Sequence, residues 1–220
     1  MSYLRYVKVI GTVHVSQDSV KKVRQVILSE DPDAIALELD YERLLALLSG
    51  ATLTFSQALK LGKRGILAYI LQEIEIAIGK EAGTIPGGEM IEAFNVARSL
   101  GIPIYVIDRP IQITLSRLLT IPLSEKIRGL VEILGVLLFP RVQANEDYTS
   151  LRMEFQRKYP TMYKILVEER DEFMAQNLMR IVDALLERKK KIKVIAVVGL
   201  GHKRGIERIL SRHSPEGINQ

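Results

Sequence analysis

Two apolar segments, at residues 6–10 and 34–39, flank a stretch of helical periodicity, and that alternation restricts what the chain can fold into more than any other feature. The first segment carries the β-branched residues Val7, Val9 and Ile10. Residues 18–29 then place Val20, Val23, Val26 and Ile27 at helical spacing, with Ser16 positioned as an N-cap. A strand, a crossover helix and a second strand make a parallel pair. The alternation resumes with a predicted helix over 89–100 stopped by Gly101, a strand over 103–107, a last strand over 192–198 and a helix over 206–211. The predicted class is therefore α/β, with a central, mainly parallel sheet flanked by helices and an additional helical subregion. With 220 residues and 47% hydrophobic content, the chain reads as a single domain over 1–220. Helical insertions are expected at about 50–85 and 117–160.

Composition removes several function classes. There is no cysteine, so thiolate metal ligands, thiol nucleophiles and disulfides are excluded. The net charge of +5 is partly local, in Arg188, Lys189, Lys190, Lys191 and Lys193, where cations complement a helix carboxyl terminus. With aromatics at 6% and no tryptophan, a base-stacking surface is disfavoured, and no nucleic-acid partner is expected. Residues 66–78 are strongly apolar but too short to span a bilayer, and Glu73 and Glu75 interrupt them. They read as a packing or dimerising helix. Residues 136–139, at the tip of a helix over 125–139, are a second candidate contact for a partner chain or a membrane. A homodimer is expected. The amino terminus lacks a charged segment followed by an apolar one, which argues against a secretory signal and for a cytoplasmic domain.

The candidate site residues gather at strand ends. Gly11 precedes His14 by three positions, and Gly199 precedes His202 by the same spacing, each after an apolar strand. Ligands usually bind at that carboxyl edge of an open α/β sheet. Glu38 falls among Ile35, Ala36, Leu37 and Leu39 and must lie at an open strand end or be paired. Asp40 is the expected N-cap of a helix over 41–48. Asp108 and Arg109 end the third strand, and Glu89 lies in a first helical turn but inside an apolar face. Arg170 sits at the centre of the stripe formed by Tyr163, Leu166, Val167, Met174, Leu178, Ile181 and Leu185, with Asn177 in the same stripe. A buried guanidinium needs a partner, and the candidates are Glu38, Glu89 and Asp108.

Together these residues form one testable constellation. His14, His202 and Glu38 would bind a divalent metal (Mn, Co or Zn), which would lower the pKa of a bound water to about 7. Glu89 or Asp108 would serve as general base, and Arg109 or Arg170 would stabilise an oxyanion. The competing expectation is that both histidines simply close the tops of buried strands by bonding to neighbouring loops.

The residues also resemble a known family. Val9-Ile10-Gly11-Thr12-Val13-His14-Val15-Ser16, followed by Pro32-Asp33-Ala34-Ile35-Ala36-Leu37-Glu38-Leu39-Asp40, is similar to the opening of the TraB/PrgY family. Pro86-Gly87-Gly88-Glu89-Met90, Ile107-Asp108-Arg109, Glu169-Arg170-Asp171 and Gly199-Leu200-Gly201-His202 match its later motifs in order, so the resemblance covers roughly residues 7–208. The family is similar to the Tiki and GumN proteins and to the erythromycin esterase/ChaN-like fold. The resemblance implies two GxxH motifs facing one cleft. It also implies a metal-dependent peptidase or hydrolase that acts on or inhibits a peptide signal, with His14, His202 and Glu38 in the metal-binding roles. A non-catalytic domain that binds or sequesters a peptide is the alternative. Membrane anchorage would come only through a segment that this chain lacks.

Overall fold

A computed structural model describes residues 1–12, 17–81, 87–138 and 148–215. At its centre lies a four-stranded sheet in the order β1-β4-β2-β3, with β1 at Val7–Thr12, β2 at Ala34–Leu37, β3 at Ile104–Val106 and β4 at Val194–Gly199. All the pairings are parallel. The central strands β4 and β2 are buried along their whole length, which is why both read as unbroken apolar runs. The edges carry more polar groups. Lys8 on β1 reaches Glu30 at 2.5 Å, and Tyr105 on β3 is exposed.

Alternate strand residues feed two cores, one on each face of the sheet. Ile10, Ile35, Leu37, Ile195 and Val197 pack with Val23 and Ile27 of α1 (Gln17–Glu30) and with Met90, Ala93 and Ala97 of α5 (Gly88–Ser99). Val7, Val9, Ala36, Ala196 and Val198 pack with Met174, Leu178 and Val182 of α10 (Glu169–Leu186) and with Ile206 and Leu210 of α11 (Leu200–Arg212). Met174, Leu178 and Val182 are fully buried. At about 1.5–3 kcal/mol for each such side chain, they dock α10 without help from its polar residues. Arg170 and Asp171, at the start of α10, are thereby held at the sheet's carboxyl edge. β1 and β4 are neighbours, yet the chain leaves them toward opposite faces, into α1 and α11. That divergence makes a topological switch point, the usual place for a ligand crevice.

The remaining described helices are α2 (Tyr41–Ser49), α3 (Phe55–Lys60), α4 (Gly62–Glu81), α6 (Ile111–Leu118), α7 (Leu123–Leu138), α8 (Tyr148–Lys158) and α9 (Pro160–Tyr163). A π-helical turn, Lys164–Glu168, joins α9 to α10. Leu118, Ile121 and Ile165 form a separate small core beneath this subregion. No described helix is long and apolar enough to cross a membrane.

Several element boundaries differ from those the sequence predicts. β1 runs on through Gly11 to Thr12 because these residues pair with Val198 and Gly199. β2 stops at Leu37, so Glu38 lies just past the strand. α4 continues past the apolar run at 66–78 to Glu81, and residues 82–86 lie outside the described residues. α7 begins directly after Pro122, whose carbonyl accepts from the amides of Glu125 and Lys126. The segment that carries the apolar stripe from Tyr163 to Leu185 is divided by the π turn, whose carbonyls two arginines engage. α11 begins at Leu200 rather than 206, since Gly201 and Gly205 are helical and do not break the chain. Ser16, Phe139 and residues 216–220 lie outside the described residues.

Candidate active site

Glu38 is the first residue beyond β2, and its amide donates to the Val197 carbonyl at 3.0 Å, so the backbone still follows the sheet. Its side chain is only 5% exposed. Oε2 accepts from the Gly199 amide at 2.6 Å, which places a carboxylate at the positive amino terminus of α11. Oε1 accepts from Nη2 of Arg170 at 2.6 Å. The same Nη2 lies 2.7 Å from Asp108 Oδ2, and Nε bridges both Asp108 oxygens at 3.1 and 3.2 Å. Nη1 donates to the Leu166 carbonyl at 3.2 Å. Burial alone pushes the Arg170 pKa down, but Glu38 and Asp108 outweigh it and hold the guanidinium above its ordinary value. The partners expected of a buried arginine are thus present, and they come from the ends of β2 and β3.

His202 occupies the first turn of α11 and is buried. Its two ring nitrogens face different carboxylates. Nδ1 lies 2.6 Å from Asp171 Oδ1, while Nε2 lies 3.3 Å from Glu38 Oε1. The shorter contact makes Nδ1–H the donor to Asp171. Asp171 is 2% exposed. Burial raises its carboxyl pKa, opposed by the hydrogen bond and charge of His202. Asp171 is a site residue that the sequence reasoning missed. It lies three positions before Met174 and seven before Leu178, a polar residue inside an apolar stripe, and that spacing was the available signal.

Arg109 and Glu89 stand in other surroundings. Arg109 is 6% exposed and donates to Thr114 Oγ1 at 2.9 Å, Glu169 Oε2 at 2.9 Å and the Ile165 carbonyl at 2.6 Å. It braces the π turn before α10. Glu89 is 1% exposed in the first turn of α5, where the helix amino terminus favours a carboxylate. Asp40 caps α2 as expected, with Oδ1 accepting from the Arg43 amide, and its Oδ2 also takes the Ile111 amide at the start of α6, both at 2.8 Å. Asn177 donates to the Ile107 carbonyl at 2.9 Å. His14 lies outside the described residues.

A cavity of about 110 Å³ opens over the Arg170 cluster, lined by Glu38, Leu39, Arg43, Gly87, Met90, Asp108 and Arg170. It admits a few waters or a small group rather than a whole substrate. Among the described residues, no group of three or more histidine and acidic side chains is arranged to hold a metal ion. Of the three ligands expected from the sequence, His202 and Glu38 lie among the described residues and His14 does not.

Residues 139–219 match the model of the TraB/PrgY/gumN family. The chain is 37% identical over 218 residues to an uncharacterized protein, MJ1365, of Methanocaldococcus jannaschii, covering 92% of this chain and 53% of that relative. It is 28% identical over 232 residues to a human TraB domain-containing protein and 26% identical to a bovine one, covering 92% of this chain and 62% of each relative. The chain therefore spans about half to three-fifths of the length of these relatives.

Proposed function

Because the chain belongs to the TraB/PrgY/gumN family, we propose that it is a metal-dependent hydrolase acting on a peptide signal, with His202, Glu38 and His14 as ligands of a divalent ion. The observation that carries this reading is the 3.3 Å approach of His202 Nε2 to Glu38 Oε1. Two donors each about 2 Å from one tetrahedral ion lie about 3.3 Å apart. Asp171 satisfies Nδ1, so Nε2 is the nitrogen available to a metal, and the arrangement is that of a metal-binding histidine backed by a carboxylate. The third donor assigned is His14, two residues beyond the end of β1. Nitrogen and carboxylate donors of this kind suit Zn, Co or Mn.

A divalent ion supplies Lewis acidity, polarising an amide carbonyl and acidifying water. The protein's own groups do the rest. Arg170 and the Gly199 amide hold Glu38 in place. Asp108, which lines the cavity, is the first choice to take a proton from water, and Glu89 is the second. Arg170 offsets the negative charge gathered around the reacting carbonyl. We assign the chain to a cytoplasmic domain that forms a homodimer, with membrane attachment through a segment outside these residues.

The decisive experiment is calorimetric titration of Mn²⁺, Co²⁺ and Zn²⁺ into wild type and into a His14→Ala, His202→Ala double variant, followed by mass-spectrometric scoring of peptide cleavage. Equal metal binding in both proteins sinks the metal reading. A second reading, peptide binding without turnover, is favoured by one observation: both Glu38 oxygens already accept short hydrogen bonds. It expects a peptide to bind uncleaved to the double variant as tightly as to wild type.

A further inference from the structure

We infer that Asp171 is a positioning residue that fixes the tautomer of His202, and that the missing side chain at Gly205 is what admits it. The inference rests on the proposed role of His202, but it concerns the proton on the ring rather than the ion.

Consecutive residues at the start of α10 serve two sides of the site. Arg170 turns to Glu38 and Asp108, and Asp171 turns to His202. Asp171 approaches the ring at 2.6 Å from within the contact between α10 and α11. Gly205, one turn along α11 from His202, lies against Asp171 in that contact. A Cβ built on Gly205 would lie 1.8 Å from Asp171 Oδ2 and 2.6 Å from its Cγ. No heavy atom tolerates such a separation, so any side chain at 205 must push the carboxylate off the ring or the helices apart. Neither helical propensity nor backbone conformation requires glycine there, because its φ is ordinary and glycine weakens a helix interior by roughly 1 kcal/mol relative to alanine. Space for the carboxylate is the remaining reason.

The consequence for the ring is specific. With Asp171 as acceptor, Nδ1 carries a proton and Nε2 is turned toward Glu38 Oε1. Replacing Asp171 by asparagine keeps the shape but offers Nδ1 an N–H donor, which favours the proton on Nε2 and removes the lone pair from the site. Loss of such a supporting carboxylate typically weakens metal binding about 10–100-fold.

The test uses long-range ¹H–¹⁵N correlation spectra of the full ¹⁵N-labelled, metal-free chain. The sequence contains three histidines, so a His202→Gln spectrum assigns the ring directly. Wild type is expected to show a pyridine-like Nε2, and Asp171→Asn a pyridine-like Nδ1. Gly205→Ala should move the ring toward the Asp171→Asn pattern, and Mn²⁺ added alone should bind Asp171→Asn about 10–100-fold more weakly than wild type. If Gly205→Ala does not fold, the Asp171→Asn spectrum decides alone. A protonated Nε2 in wild type, or an unchanged tautomer in Asp171→Asn, overturns the inference. A tautomer switch in a protein that binds no metal in any form supports the positioning role and removes the metal reading, so the two failures are separable.

Discussion

Arg170 Nη2 and Glu38 Oε1 lie 2.6 Å apart, although 132 residues separate them in the chain. The pair joins α10 to the end of β2, with Asp108 completing the cluster from the end of β3. Removing one member of a buried pair costs more than the pair itself contributes, because the remaining charge is stranded. Arg170→Met should therefore destabilise the protein by about 3–5 kcal/mol in urea denaturation. Arg170→Lys should lose part of that, since an ammonium lacks the planar fork that spans two carboxylates. A loss below about 1 kcal/mol in Arg170→Met would show that water reaches these carboxylates freely.

Asp40 divides its carboxylate between the first turns of α2 and α6. One lost cap typically costs about 1 kcal/mol, so Asp40→Ala should cost about 2 kcal/mol, and Asp40→Asn, which keeps one acceptor oxygen, about half as much. Chemical denaturation of the three proteins measures the series. Equal losses in both variants would refute the double cap.

Arg109 donates to three acceptors at once, including the Ile165 carbonyl in the π turn. Lysine in its place keeps the charge but cannot reach Thr114, Glu169 and the carbonyl together. Arg109→Lys should lose at least about 2 kcal/mol of stability, and hydrogen exchange should rise first in residues 164–168. Uniform exchange along α10 would argue against a bracing role.

Glu30 bonds Lys193 and Lys8, and these contacts, the Lys193 bond foremost, lower its pKa to about 2 from a model-peptide value of 4.5. A depressed carboxylate contributes stability that is fully present above 4.5 and is lost as pH falls toward about 2. Glu30→Gln should flatten the acid limb of the Tm-against-pH curve in that window and leave the curve near neutrality parallel to wild type. An identical acid limb in both proteins would count against the contacts.

Much of the scaffold was legible because burial on both faces leaves a distinct record. Residues 34–37 and 194–198 could hardly be anything but central strands, and Asp40 before an amphipathic stretch could hardly be anything but a cap. The need for a partner at Arg170 followed from its place in an apolar stripe, and two of its three candidate partners bond it. Glycine was harder to interpret. Gly201 and Gly205 precede the helix predicted over 206–211, whereas they lie in the first two turns of α11, and at Gly205 the reason is a carboxylate on another helix. Nothing local records that contact. The π turn was equally hidden, since the arginines that engage its carbonyls differ in origin: Arg170 is near in sequence, but Arg109 is 56 residues from Ile165.

The position of β4 also governs when the fold can exist. β1 and β2 are not neighbours; each pairs with β4, whose residues come after 193 others have been made. Until that strand arrives, β1 has no described partner, and the edge on which Glu38 and Gly199 meet is not built. Contacts of such sequence separation carry a large loop-closure cost and slow folding. Insertion of β4 into the middle of the sheet joins β1 to β2 and brings Glu38 against Gly199, so the scaffold and the site share one closing contact.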